Sequence, residues 1–326
     1  MGNPRSLCYE SSLVMWVDLV MLVLGGFGVW LGAEGMVRGA VKLAAYLGVP
    51  SLIIGLTVVA FGTSAPELVV SSIASVRGHS EIALGNVLGS NIINVGLVLG
   101  LSAVITPIAV STEVLRRDIP VVVAVTLAVV AMAAIGDHVS RFDGAILLLF
   151  FVGHTIYSWK LAQREQARTT TAPGWERPEL KPRHIVFLIG GTLVLAAGAE
   201  GMVRGAAGLA EAFGVSKKII GITLVAFGTS VPELAASAVA AKQGESDLAL
   251  GNIIGSNLYN MTLILGTASL IAPIPANVTW RSTDFLFFVI LVMMLIPLIR
   301  VGRRLGRIDG LILLATYVLA VVFLFI

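Results

Sequence analysis

Charge is scarce in this chain of 326 residues: only 13% are Asp, Glu, Lys or Arg, while 57% are hydrophobic. Soluble domains carry about 25% charged and roughly 45–50% apolar residues. A soluble core of this length cannot hide so much apolar surface, and the same composition excludes disorder. Cysteine is nearly absent. Cys8 alone excludes an internal disulfide and with it a disulfide scaffold. Net charge is small as well: +3 is too little to imply an anionic partner, nucleic acid included. What remains is apolar sequence laced with 35 glycines, and small residues let membrane helices approach closely. The chain reads as an integral membrane protein whose first partner is the lipid bilayer.

A helix that crosses a bilayer needs roughly 20 apolar residues. Ten spans are predicted, near 13–32 (with continuation to 46 left open), 51–76, 82–106, 119–136, 143–160, 184–212, 217–241, 247–272, 284–300 and 309–326. Open strand edges are not tolerated in lipid and these runs are too long for barrel strands, so the predicted fold class is all-α and polytopic. The first run lacks a basic leader and flows into Gly32–Gly39, so it reads as a span and not as a cleaved signal peptide. The opening Met1-Gly2-Asn3-Pro4-Arg5-Ser6 fits a myristoylation pattern of a kind that arises easily by chance. One long polar stretch, Ala162–Arg183, carries Pro173, Pro178 and Pro182 and reads as a solvated linker. The expected organisation is a first membrane half at 1–161, a linker at 162–183 and a second half at 184–326.

The halves repeat. Gly55-Leu-Thr-Val-Val-Ala-Phe-Gly-Thr-Ser-Ala-Pro-Glu67 returns as Gly221-Ile-Thr-Leu-Val-Ala-Phe-Gly-Thr-Ser-Val-Pro-Glu233. Leu84-Gly-Asn-Val-Leu-Gly-Ser-Asn-Ile-Ile-Asn94 returns as Leu250-Gly-Asn-Ile-Ile-Gly-Ser-Asn-Leu-Tyr-Asn260. Gly32–Gly39 matches Gly198–Gly205, and Arg141–Gly144 matches Arg307–Gly310. All four blocks share one offset of 166 residues, which means duplication. Five spans per copy is an odd number, so the copies are inverted in the membrane, an architecture of secondary transporters with the substrate site at the repeat interface. With the linker placed in the cytoplasm, the outer side holds Arg5, Arg77, Arg141, Arg204, Lys217, Lys218 and Arg281, leaving 15 of the 22 basic residues inside. That bias predicts a cell-membrane protein with both termini outside and disfavours cytosolic lipidation.

Glu67 and Glu233 lie within apolar runs. A carboxylate at membrane depth costs about 2.5–3.5 kcal/mol on insertion scales, so it must be protonated, paired or bound to a cation. Neither motif contains Lys or Arg. Two carboxylates match the charge of one divalent cation, and hard cations such as Ca²⁺ take about six to eight oxygens. The motifs are rich in oxygen and lack His and Cys, which argues against Zn²⁺ and Cu⁺. Thr63, Ser64 and Glu67 share a helix face. Pro66 removes a backbone donor and Gly62 weakens the helix, so carbonyls around Ala60–Thr63 are expected to open. Ala226, Gly228, Thr229, Ser230, Pro232 and Glu233 repeat the arrangement. In the next span Asn86, Ser90 and Asn94 form a stripe, with Asn91 beside it; Asn252, Ser256 and Asn260 repeat that stripe. Taken alone, the Ser, Thr and Asn residues read equally well as glue between helices.

Other polar positions read as structural. Glu34–Arg38 and Glu200–Arg204 form i,i+4 pairs. Asp143 and Asp309 begin spans and suit the helix N-terminal dipole. Asp18 and His154 stand alone in spans without an evident partner and are read as packing or boundary residues.

The duplicated pair Gly-Thr-Ser-x-Pro-Glu and Gly-Asn-x-x-Gly-Ser-Asn-x-x-Asn resembles the α-repeats of the calcium/cation antiporter superfamily, most of all its sodium/calcium exchanger branch in a minimal prokaryotic form. The resemblance implies alternating access to one Ca²⁺ site and several Na⁺ sites, with the first and sixth spans sliding past four site helices. It implies, as cation ligands, the side chains of Thr63, Ser64, Glu67, Ser90 and Asn94 with their partners Thr229, Ser230, Glu233, Ser256 and Asn260, and the carbonyls of Ala60 and Ala226. That branch often has Asp at the position of Asn260, so this site has two carboxylates in place of three and its coupling ion stays open among Na⁺, H⁺ and K⁺. The transported ions are then the cargo and no resident cofactor is expected. A Ca²⁺/H⁺ antiporter is the nearest rival. A passive channel fits inverted repeats poorly, and an enzyme would lack a His or Lys in the motifs to activate Ser or Thr.

Overall fold

The computed structural model describes residues 4–215, 227–276, 282–300 and 303–324. Apolar runs fold as helices throughout, because each backbone polar group must be satisfied within its own segment in lipid. The helices are α1 (Pro4–Leu47), α2 (Ser51–Thr63), α3 (Ala65–Val76), α4 (Ser80–Ile105), α5 (Val114–Gly136) and α6 (Arg141–Thr170) in the first half. The second half has α7 (Pro182–Ala212), α8 (Val231–Lys242), α9 (Ser246–Ile271), α10 (Ser282–Arg300) and α11 (Arg307–Leu324). Helices α2 and α3 are one bent span, turned by 45° at Ser64. Its counterpart is described from Phe227 onward and continues as α8. The architecture is thus ten membrane spans in two inverted repeats of five.

Two helices run beyond the spans predicted for them, one of them where the sequence reading left continuation open. Helix α1 is continuous to Leu47, so the first run does continue past 32. Helix α6 runs to Thr170, through the first part of the stretch read as linker, since nothing before Pro173 interrupts it. The remainder of the linker lies beneath the end of α1. Its Arg177 guanidinium sits 5.2 Å from the Tyr46 ring centre, and Trp175 and Thr170 crowd Gly48. Gly48 ends α1 at φ +67°, a conformation that favours glycine.

The duplication is visible in the backbone. Strand β1 (Ile108–Ala109) pairs antiparallel with β4 (Arg304–Leu305), and β2 (His138–Val139) pairs with β3 (Ile274–Pro275). The 166-residue offset converts one pair into the other. Each pair ties a loop of one half to a loop of the other, so the halves are clasped at both ends. The turn residues Asp137 and Arg303, also related by the offset, hold φ of 52° and 53°. Their carbonyls accept from Ala276 and Val110 at 2.9 Å each.

Helices α9 and α4 occupy the centre, whereas α1 and α6 present mostly lipid-facing surface. Helices α1 and α7 lie against one another along a glycine seam. Gly25, Gly32 and Gly39 meet Gly198, Gly191 and the turn at His184–Leu188. A Cβ added at Gly32 would stand 2.3 Å from the Leu195 nitrogen, and one at Gly191 would stand 2.4 Å from the Met36 nitrogen. Only glycine allows backbones this close. The pair shows close contact along this seam.

Candidate cation site

The site is built where the broken span of one half meets the polar helix of the other. The α2 helix ends at Thr63, Ser64 takes φ −86° and ψ 6°, and α3 restarts with Pro66 in its first turn. Pro66 offers no N–H to the Gly62 carbonyl, which sets the break where the sequence predicts it. The Ala60 carbonyl, expected to open, accepts the Ser64 N–H at 3.0 Å and the Thr63 hydroxyl at 3.3 Å. Ala226 lies outside the described residues. In the second half Ser230 makes the same break at φ −90° and ψ 0°, before α8.

Four helices then converge. Gly55 and Gly251 let α2 and α9 touch along their backbones. Thr63 donates to the Asn252 amide oxygen at 3.1 Å, and Thr229 donates to the Asn86 amide oxygen at 3.3 Å. Asn86 donates to Ser71 and Asn252 to Ser237, each at 3.0 Å. These paired bonds obey the 166-residue offset. Asn86 and Asn252 therefore do not face an open site; they brace Thr229 and Thr63. Ser71 and Ser237 were not among the sequence candidates, although each stands four residues after its glutamate on the same helix face.

The carboxylates break the symmetry. Ser64 donates to Glu233 Oε1 at 2.8 Å and Ser256 reaches the same oxygen at 3.4 Å. Both Glu67 oxygens, the Ser230 and Ser90 hydroxyls and Glu233 Oε2 are buried without a hydrogen-bond partner among the described residues. Thr229, Ser90 and Glu233 are the side chains facing the Glu67 carboxylate. Asn94 and Asn260 are fully buried with both amide atoms unpartnered among the described residues. Each lies in a π-helical turn, Ile93–Leu99 and Asn260–Ile264. Such turns gather at functional sites. The turn carrying Asn94 packs on α8, which carries Glu233, and the turn carrying Asn260 packs on α3, which carries Glu67. The structure thus gathers Thr63, Ser64, Glu67, Ser90, Thr229, Ser230, Glu233 and Ser256 at one centre, and packs the helical turns of Asn94 and Asn260 against it.

Buried oxygens without partners among the described residues suit the ligation of a cation, because buried polar groups are otherwise bonded. The set comprises two Glu67 oxygens, Glu233 Oε2, two hydroxyls and two amide oxygens, all hard donors. No imidazole or thiol is among them.

The residues read as structural are placed accordingly. Arg38 pairs with Glu34, and Arg204 with Glu200 at 2.6 Å. Asp143 caps α6 through Ser140, and Asp309 accepts the Gly306 N–H at 2.7 Å. His154 is not alone, as the sequence reading had it. It stacks on Phe150 and faces the Arg117–Asp118 ion pair. Asp18 also has company, packed against Gly208 of α7.

Inverted five-span repeats, a span broken at its carboxylate and a buried oxygen-lined centre define a membrane cation transporter. The profile of the family described as sodium/calcium exchanger protein matches residues 17–160 and again 183–326, one match to each half. The chain belongs to that family, and the family is one of transporters, not enzymes. The Sodium/calcium exchanger MaX1 of Methanosarcina acetivorans is 33% identical over 347 residues, covering 95% of this chain and 99% of its own. Inner membrane protein YrbG of Escherichia coli (strain K12) is 38% identical over 278 residues, covering 83% of this chain and 85% of its own. Among solved structures, a sodium-calcium exchanger named NCX_Mj superimposes with a TM-score of 0.81 at 34% identity, covering 94% of this chain and 97% of that one.

Proposed function

We propose that this protein exchanges Ca²⁺ for Na⁺ across the cell membrane by alternating access. The observation that carries the reading is the set of buried oxygens around Glu67 and Glu233 that lack partners among the described residues. Two carboxylates balance one Ca²⁺, and Na⁺ competes for the same oxygens. Ligands are the side chains of Thr63, Ser64, Glu67, Ser90, Asn94, Thr229, Ser230, Glu233, Ser256 and Asn260, with the Ala60 and Ala226 carbonyls joining when the helix breaks widen. The glycine seam gives α1 and α7 a common body that slides past the site helices. The linker is cytoplasmic and both termini are outside.

The exchange is electrogenic. Expelling two charges against about 100 mV costs roughly 4.6 kcal/mol. A 10⁴-fold Ca²⁺ gradient adds about 5.5 kcal/mol, at roughly 1.4 per decade. Each Na⁺ entering down a tenfold gradient yields about 3.7 kcal/mol, so two give about 7.4 and three about 11. Three suffice and two do not. The test is ⁴⁵Ca²⁺ flux in reconstituted vesicles under imposed Na⁺, K⁺ or H⁺ gradients. Flux should follow Na⁺ and reverse at the three-to-one potential. Flux that follows pH alone identifies the rival, a Ca²⁺/H⁺ antiporter, which Asn260 keeps in view by leaving the site one carboxylate short of the branch's usual set.

A further inference from the structure

On the face that carries the linker, a cavity of about 240 Å³ lies between α1, α7 and the turn before α9. Arg38, Val41 and Lys42 of α1 line one wall, Arg183, His184 and Phe187 of α7 another, and Gln243 and Glu245 of the turn before α9 the third. Three fixed cations thus face one acid. Arg38 has Glu34 beside it, but Lys42 and Arg183 have no ion-pair partner among the described residues. From Phe187 the exposed surface of α7 continues apolar through Val186, Ile189 and Leu193. The pocket thus sets exposed cationic side chains beside an apolar stretch of α7.

The internal repeat supplies a control. The positions equivalent to Lys42, Arg183 and His184, at the 166-residue offset, are Gly208, Val17 and Asp18 on the opposite face. There the Asp18 carboxylate fills the space beside Gly208, 2.2–2.5 Å from where a Cβ would stand. Both faces carry cations, since Arg204 repeats Arg38 and Arg77 stands where Gln243 does, but the Lys42–Arg183 pair is confined to one face. Packing alone does not call for that difference.

We propose that this pocket binds the phosphate of an anionic phospholipid, with Lys42 and Arg183 as its principal contacts, so that the headgroup bridges α1, α7 and the turn at 243–245. Basic pockets between membrane helices on the cytoplasmic side bind such headgroups. A free phosphate shares the charge chemistry but makes no use of the apolar wall, which favours the lipid. The assignment concerns binding and does not depend on which ion the transporter couples.

The test is native mass spectrometry of the purified full chain with dioleoyl phosphatidylglycerol or dioleoyl phosphatidylcholine. The wild type should retain the anionic lipid in preference. Lys42→Gln or Arg183→Gln should weaken retention about fivefold each and the pair about 25-fold, while Arg204→Gln on the opposite face leaves it unchanged. Equal retention of both lipids, or a double variant that binds like the wild type, overturns the proposal. Displacement of phosphatidylglycerol by millimolar inorganic phosphate overturns the lipid assignment in favour of a phosphate site. If the double variant fails to fold, the single Lys42→Gln loss decides the matter.

Discussion

The glycine seam between α1 and α7 makes a graded prediction. A Cβ at Gly32 would lie 2.3 Å from the Leu195 nitrogen, 2.6 Å from its Cα and 2.7 Å from the Gly191 carbonyl oxygen, all backbone atoms. Ordinary contact begins near 3.4 Å, so the helices must part by about 1 Å along a seam of several turns. At Gly28 the nearest atom is the Gly198 Cα at 3.3 Å, and at Gly26 it is the Met202 sulfur at 3.9 Å. All three glycines lie inside one helix, so the gain in helix propensity on changing Gly to Ala, about 1 kcal/mol, is common to them. The difference between Gly32→Ala and Gly26→Ala isolates the clash, which overpacking puts at about 1–3 kcal/mol. Unfolding of the detergent-solubilised variants should rank Gly32→Ala least stable, Gly28→Ala intermediate and Gly26→Ala at or above wild type. Equal stabilities for the Gly32 and Gly26 variants would refute the tight seam.

The hydrogen bonds at the site carry further predictions. In cation-free buffer Ser64→Ala should lower stability by about 1–3 kcal/mol, since it removes the 2.8 Å bond to Glu233. Ser230→Ala should cost little there, because its hydroxyl has no partner among the described residues. Equal losses in thermal unfolding would count against the asymmetry. Asn260→Asp adds a third buried carboxylate and should change the cation dependence of ⁴⁵Ca²⁺ flux. An unchanged Na⁺ profile would make Asn260 a bystander. Asn86→Leu should destabilise by roughly 1–3 kcal/mol by removing the partner of Ser71, and a neutral outcome in the same unfolding assay would remove it from the brace.

Much of this architecture was legible because the sequence says it twice. The offset linking Glu67 to Glu233 also links the two strand pairs, the two left-handed turn residues and the paired Thr–Asn bonds. The break at Ser64 was legible because Pro66 acts on its own backbone whatever surrounds it. The π-helical turns at Asn94 and Asn260 were not, since a one-residue widening of a helix follows from packing and leaves no residue signature. The two-residue strands escaped for a related reason: they join loops far apart in the chain, as Ile108 with Leu305 and Val139 with Ile274, and have no periodicity of their own. His154 looked solitary because the Arg117–Asp118 pair it faces belongs to another helix. Ser71 and Ser237 could have been found by extending the face of each glutamate by one turn.

The central claim is that one glutamate from each inverted half holds the transported cation. Glu67→Gln and Glu233→Gln keep the shape of each side chain while removing its charge. Removing one member of a buried charge set costs about 3–5 kcal/mol, at least roughly 10² in binding at about 1.4 kcal/mol per decade. Sodium-driven ⁴⁵Ca²⁺ exchange in vesicles, with insertion verified for each variant, should fall by at least that factor in both. Wild-type exchange in either variant would contradict the account.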